Sequence, residues 1–371
     1  MKIYLDHNAT TNIHPDVANK MQDVMNLGPL NPSSIHSYGR KGKGLIESSR
    51  KYIVSLLGVE RDRFNDYQVT FTASGTEANN LILSNFQDGE IFISSTEHHS
   101  IFVHSKIKDN ITLIKVDNNG VLDIDDLADK LKSSMAKKKL VSVMLANNDT
   151  GVIQPIEEIT NIAHANGALM HSDCVQAVGK IKVDITAMNV DFISISAHKF
   201  GGPMGVGALI SKSSIPLQPL IIGGGQERNL RSGTENVPAI VGLGEAARIA
   251  QEELEERWAH MNKLRSILEE KVLASNKNIE IIGIKTKRLP NTSLIINNKK
   301  AETQLIALDL QGVAISSGSA CSSGKVEPSH VLLAMGYSEE QINSALRVSI
   351  GFNTTEQDID NFLTIYNEVN K

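Results

Sequence analysis

Two cysteines, Cys174 and Cys321, are all that the 371 residues contain. They lie too far apart for the short-spaced patterns that bind zinc, and so few cannot staple a disulfide scaffold. Each is read singly, as a small buried apolar side chain or as a reactive thiol. Long hydrophobic runs are also missing. The longest, such as Val141–Ala146 and Val206–Ile210, suit a strand and fall far short of a bilayer span. The opening Met1-Lys2-Ile3-Tyr4-Leu5-Asp6 meets an acidic residue at once and carries no signal-peptide core. Positive charge is not in excess: 37 Lys and Arg against 42 Asp and Glu give a net charge of −5. That balance does not favour nucleic-acid or membrane partners. Internal repeats and low-complexity tracts are absent. These absences imply a cytoplasmic protein with no membrane segment and no direct nucleic-acid contact.

What is present is a long chain with regular alternation. Its length exceeds what one compact core usually supports, so two domains are expected. Tyr67–Phe71, Glu90–Ser94, Thr112–Val116, Val141–Ala146, Ala168–His171 and Asp191–Ile195 are short runs rich in Val and Ile, bounded by turn residues, and read as strands. Helical stretches lie between several of them, at Thr76–Ser84, Ile124–Ala136 and Pro155–Ala165. This alternation predicts an α/β domain with a mainly parallel sheet covered on both faces. Val206–Ser211 follows after a turn too short for a parallel crossover, so it is expected to run antiparallel. From Glu245 to about Leu273, residues such as Ala246, Ile249, Leu254, Trp258, Met261 and Leu268 recur at helical spacing and predict one long helix bridging the domains. A smaller α+β unit follows: Ile279–Ile282, Ser293–Ile296, a helix over Glu302–Leu310, Val313–Ser316, a loop, and two more helices. Ser and Gly dominate Ser316–Pro328, the best candidate for a flexible segment.

Chemistry gathers where the expected strands end. His198-Lys199 follows Ser194-Ile195-Ser196. In an open α/β sheet ligands sit beyond the carboxyl ends of strands, and a lysine there can form a Schiff base with an aldehyde cofactor. Alone, it reads sooner as a surface lysine, because most lysines are solvated. Asp173, in His171-Ser172-Asp173-Cys174-Val175-Gln176, suits the partner of a protonated pyridine nitrogen, or merely caps a helix. Gln176 is within reach of a ring hydroxyl oxygen. Ser74-Gly75-Thr76 stands between a strand and a helix, where small residues and free N–H groups suit a phosphate. His98, in Thr96-Glu97-His98-His99-Ser100, can stack on a flat ring or relay protons. An amide from Asn147-Asn148 can position the ring. Five polar groups at five successive strand ends converge on one rim and together describe a pyridoxal 5'-phosphate (PLP) site.

The chain resembles the class V aminotransferase group of PLP fold type I, and within it the cysteine desulfurases of the NifS/IscS type. The likeness runs nearly end to end, through Tyr4–Thr11, Asn31–His36, the Lys199 motif, Gly223–Arg228, Arg231–Thr234 and Ser316–Cys321. It implies a large PLP-binding domain over residues 15–255. Residues 1–14 and 256–371 would form a smaller α+β domain carrying an active-cysteine loop at 316–328. It implies that Lys199 is the Schiff-base lysine, that Asp173 pairs with the pyridine nitrogen, and that Gln176 contacts the ring oxygen. His98 would stack on the ring and handle protons. Ser74, Gly75, Thr76, Ser196 and His198 would bind the phosphate, and Thr234 would reach the phosphate of a neighbouring subunit in a homodimer. Asn148 would position ring or substrate. Arg347 would grip the substrate carboxylate, a bidentate role that suits a guanidinium, with Asn31 helping.

The activity implied is conversion of L-cysteine to L-alanine, with Cys321 as thiolate accepting the sulfur as a persulfide. Polar neighbours and a Ser/Gly tether suit Cys321 to that role, whereas Cys174, directly after Asp173, reads as a buried filler. A plain aminotransferase needs no thiol; selenocysteine lyase activity is compatible with the same loop. A non-catalytic paralogue is disfavoured by the complete site. The chain ends soon after a helix read over Glu356–Asn367, where IscS-type enzymes continue into a tail that docks the iron–sulfur scaffold. The expected sulfur acceptor is therefore either such a scaffold or a tRNA-thiolation enzyme.

Overall fold

The computed structural model describes residues 2–318 and 328–370, together with the backbone of residues 321–322 and 325–326. Its larger layer is a seven-stranded sheet in the spatial order Tyr67–Thr72, Gly207–Lys212, Phe192–Ser196, Leu169–Asp173, Lys139–Ser142, Glu90–Ser94, Ile111–Ile114. From Phe192–Ser196 onward all neighbours are parallel. Gly207–Lys212 runs antiparallel to both of its neighbours, as its short connection requires. The central strands are buried on both faces: Phe192, Ile193 and Ile195 are all fully enclosed. A sheet sandwiched between helices needs that continuous apolar character. The helices Gly75–Ser84 and Ile156–Ala165 pack on it, while Ser37–Leu56 and Pro15–Met25 both pack on Val237–Glu252.

A second, antiparallel sheet has the order Ser316–Ser317, Leu346–Ser349, Thr292–Ile296, Glu280–Ile281. Its core joins Met261, Leu264 and Leu268 with Phe362 and Tyr366, and it also takes in Ile3 and Leu5. The N-terminal strand Ile3–Tyr4 pairs in parallel with Val313–Ala314, and Asp6 bridges to Ser349. The first residues of the chain are thus built into the smaller layer. No helix among the described residues is long and apolar enough to cross a membrane.

Four expectations are corrected. The strand predicted over Val141–Ala146 is Lys139–Ser142. Beyond it the Met144 N–H turns to the buried carboxyl of Glu97 at 2.8 Å, so the pairing with Glu90–Ser94 stops, while Val143 and Leu145 still donate to the main-chain O of His171 and Asp173 on the other side. The single helix Glu245–Leu273 is two, Val237–Glu252 and Leu254–Ser275, broken at Glu253 (φ −100°, ψ 6°). Ala246, Ile249 and Ala250 pack into the large core, whereas Met261, Leu264 and Leu268 pack into the small one. One straight helix cannot present its stripe to both. The break also changes the register, so that Arg257 is buried and Trp258 is 45% exposed. The strand expected over Val313–Ser316 is split: Val313–Ala314 pairs with Ile3–Tyr4, and Ser316–Ser317 is an edge strand paired with Leu346 and Arg347. Finally, three helices follow it, at His330–Ala334, Glu339–Ile342 and Glu356–Val369.

Candidate active site

The carboxyl ends of the central strands open on a cavity of about 240 Å³. Of the residues singled out from sequence, Ser74, Gly75, Thr76, His98, Asn148, Asp173, Gln176, Ser196, His198 and Lys199 all line it. They come from separate strand ends, which the parallel order brings to one rim.

Lys199 closes the short turn after Phe192–Ser196. Its Nζ donates to the main-chain O of Asn8 at 2.6 Å and of Ala9 at 2.9 Å. Burial, and then the nearby Arg347 guanidinium, lower its pKa to about 8. A neutral amine held this way has both N–H groups engaged and its lone pair left over.

Asp173 ends the strand Leu169–Asp173 and is buried. One oxygen accepts the Val175 N–H at 2.9 Å, and the other accepts Asn79 Nδ2 at 2.7 Å. Asn79 also donates to Ser100 Oγ at 2.8 Å. The Ser100 hydroxyl lies 2.8 Å from His98 Nδ1, which also accepts the Ser100 backbone N–H at 3.1 Å. Nδ1 is therefore an acceptor, and the proton of the neutral ring sits on Nε2. Burial lowers the pKa of His98, favouring that neutral form.

The helix Gly75–Ser84 points its N-terminus at the cavity, with Ser74 as its cap accepting the Glu77 N–H. Backbone N–H groups in the first turn have no partner within the helix and suit an anion. A Cβ on Gly75 would meet Val175 Cγ2 at 2.8 Å and Ser196 Cβ at 3.4 Å, so a side chain here would fill the floor of the cradle. Asn79 Oδ1 is buried without a partner among the described residues. A cradle at a helix N-terminus, a buried carboxylate and a lysine of lowered pKa, all on one cavity, fit PLP.

A second cavity of about 190 Å³ shares His98 and Asn148 with the first and adds His99, Asp149, Ser317, His330 and Arg347. The Arg347 guanidinium is clamped between Asp6 Oδ1 (2.9 Å) and Asp149 Oδ1 (3.0 Å). Thr234 and Asn31 are exposed, and neither lines these cavities within the one chain. The side chain of Cys321 lies outside the described residues; its backbone pairs with Val326. Cys174 is fully buried, and burial pushes its thiol pKa far up, as a filler requires.

Sequence reasoning did not single out Asn79, Ser100, Asn8 or Lys180. Asn79 carried a signal: a polar side chain on the buried face of Gly75–Ser84, among Ala78, Leu81 and Ile82. Lys180 is buried too, one turn beyond Gln176, and donates to Gln176 Oε1 at 2.8 Å.

Residues 3–362 match the family model of class-V aminotransferases. A cysteine desulfurase of Cereibacter sphaeroides is 38% identical over 98% of this chain and 94% of its own length. The cysteine desulfurase IscS of Dictyoglomus turgidum is 37% identical over 99% and 94%. Among solved structures, a NifS-like protein from Rickettsia africae superposes with a TM-score of 0.95 at 44% identity, covering 100% of this chain and 99% of the other. SspA in complex with cysteine superposes with a TM-score of 0.80 at 28% identity, over 95% of this chain and 100% of the other.

Proposed function

The chain belongs to the class-V aminotransferase family and is a PLP-dependent cysteine desulfurase, and from that premise we propose that its sulfur passes to Cys321. The observation that carries the site assignment is the meeting of Lys199, Asp173, His98 and the Gly75–Ser84 N-terminus on one cavity. Lys199 would hold the cofactor aldehyde, Asp173 its ring nitrogen, Gln176 its ring oxygen, and Ser74, Gly75, Thr76, Ser196 and His198 its phosphate. Bound PLP supplies an electron sink for the negative charge left when the Cα–H bond of cysteine breaks.

The side chains do the rest. Lys199, with its lowered pKa, takes the α-proton on its free lone pair. His98, held by Ser100 with its proton on Nε2, would lie against the cofactor ring and carry protons. Arg347, fixed by Asp6 and Asp149 on the second cavity, receives the substrate carboxylate, with Asn148, which lines both cavities, beside it and Asn31 assisting. In the transfer the substrate C–S bond breaks and an S–S bond forms at Cys321. L-cysteine and the Cys321 thiol become L-alanine and a Cys321 persulfide, with no external oxidant.

The large domain is read as residues 15–255 and the small one as 1–14 and 256–371. The separate apolar cores support that division. A homodimer is the proposed assembly. Thr234 is exposed away from its own cavity, and the nearby Ile222 is 85% exposed, as residues serving a neighbouring chain would be. The acceptor protein is read as an iron–sulfur scaffold or a tRNA-thiolation enzyme in the cytoplasm.

The test is release of L-alanine and sulfide from L-cysteine, with PLP and a reducing thiol, by the wild type and by Cys321→Ala. Release of both in step by the wild type and of neither by the variant is the expected result. A variant that desulfurates as well as the wild type would remove Cys321 from the reaction.

A further inference from the structure

Asn8 is 1% exposed, and all its polar atoms are engaged. Its main-chain O accepts from Gln176 Nε2 at 2.9 Å and Lys199 Nζ at 2.6 Å. Its Oδ1 accepts from Lys180 Nζ and Asn291 Nδ2, both at 3.0 Å. Its Nδ2 donates to Asn148 O at 3.0 Å and Thr292 Oγ1 at 2.8 Å, and its N–H donates to Ser349 Oγ at 3.0 Å.

The partners fall into two sets. Gln176, Lys199 and Asn148 line the cofactor cavity, and Lys180 stands directly behind Gln176. Asn291, Thr292 and Ser349 belong to the small antiparallel sheet, where Thr292 and Ser349 are register partners, or directly adjoin it. None of these three lines the cavity. Contact between the two sides is close elsewhere as well. Gly151 ends the Asn147–Gly151 turn with φ +74°, and a Cβ there would come within 2.9 Å of Thr292 Cβ. A carboxamide suits position 8 because it offers both donors and an acceptor. An aspartate would lose the donations to Asn148 and Thr292, and an apolar residue would lose every side-chain bond.

We propose that Asn8 is a positioning residue that pins the small sheet to the cofactor wall, so that the seating of the small domain sets the placement of Gln176, Lys199 and Asn148. The proposal rests on the Lys199 cavity being the PLP site. Asn8 acts through these three groups, and its own side chain need not touch the cofactor. Loss of the Thr292 hydroxyl, outside the cavity, should therefore be felt inside it.

The experiment titrates cofactor-free wild type, Asn8→Asp, Thr292→Val and the double variant with PLP. Binding is followed by the visible absorbance of the Lys199-bound cofactor, at a temperature well below each unfolding midpoint. Asn8→Asp should weaken PLP binding roughly tenfold and Thr292→Val about threefold, the scale of losing buried hydrogen bonds. The double variant should be no weaker than Asn8→Asp alone, because both changes break the same link. If Thr292→Val lowers only the unfolding temperature and leaves PLP affinity and absorbance unchanged, or if the two losses add in full, the pin does not exist. Lys199→Ala is the control for the underlying site: if it keeps the wild-type absorbance, the cavity assignment itself fails. Should Asn8→Asp not fold, the cycle is run with Asn8→Ser, for which the same pattern is expected.

Discussion

Asn79 Nδ2 lies 2.7 Å from Asp173 Oδ2 and 2.8 Å from Ser100 Oγ, so one amide group ties the buried carboxylate to the hydroxyl that holds His98. Replacing it disturbs both ends at once. Asn79→Ala is expected to lower the rate of alanine formation at least about tenfold, corresponding to one or two buried hydrogen bonds. Its PLP affinity should fall as well. Steady-state assays and a PLP titration check both. A variant with normal rate and affinity would reduce Asn79 to a packing residue.

The lowered pKa of Lys199 makes the cofactor-free protein sensitive to alkali in a defined sense. Its folded pKa of about 8 lies below the ordinary lysine value of 10.5. Between those values the unfolded chain holds a proton that the folded protein has released, so stability rises with pH across that window. The contribution is fully present above 10.5 and is lost as the pH falls through 8. Urea unfolding of the apoprotein should show wild type gaining stability relative to Lys199→Met between pH 8 and 10. A flat difference would show that burial does not perturb this amine.

Arg50 and Glu227 form a two-pronged ion pair, at 2.8 and 2.9 Å, with both side chains buried. Glu227 also accepts the Phe71 N–H at 2.8 Å. Removing one member strands the other charge. Glu227→Gln is expected to cost about 3 kcal/mol of folding stability, measured by denaturant unfolding. The same turn holds Glu227, Arg228 and Asn229 at φ of 49°, 57° and 67°. Side chains adopt that region reluctantly. Arg228→Gly, which gives up an exposed contact with Glu47 among the described residues, should therefore stabilise by up to about 1 kcal/mol.

At Arg347 the fork geometry matters more than the charge. Its two terminal nitrogens reach Asp149 and Asp6, and lysine cannot span both. Arg347→Lys should raise KM for L-cysteine by more than about tenfold while kcat changes less, the mark of lost substrate binding. An unchanged KM would place the carboxylate elsewhere.

Much of this molecule can be read from its chain. Residues such as Phe192–Ser196 announce a strand because Val and Ile runs ending in polar residues have few other uses in a doubly covered sheet. The cavity lining follows, since parallel strands deliver their ends to one rim. What stayed hidden depended on long-range geometry. The point where Lys139–Ser142 parts from Glu90–Ser94 is set by Glu97, which takes the Met144 N–H from across the sheet edge. The break at Glu253 follows from two cores competing for one apolar stripe. Asn8 and Lys180 gain their meaning from partners that no local pattern reveals, and Asn79 stood out only as a polar residue on a buried helical face.

The pairing of Ile3–Tyr4 with Val313–Ala314 bears on the order in which the protein is made. Asn8 and Ser349 are 341 positions apart, yet hydrogen-bonded. Ile3–Tyr4 must wait for Val313–Ala314 to be made before it has a partner. The seven-stranded sheet, complete by Lys212, can form during synthesis, whereas contacts of such long separation close late. The wall that holds Lys199 is therefore finished only once Thr292 and Ser349 have been made, and productive loading with PLP should follow that late step.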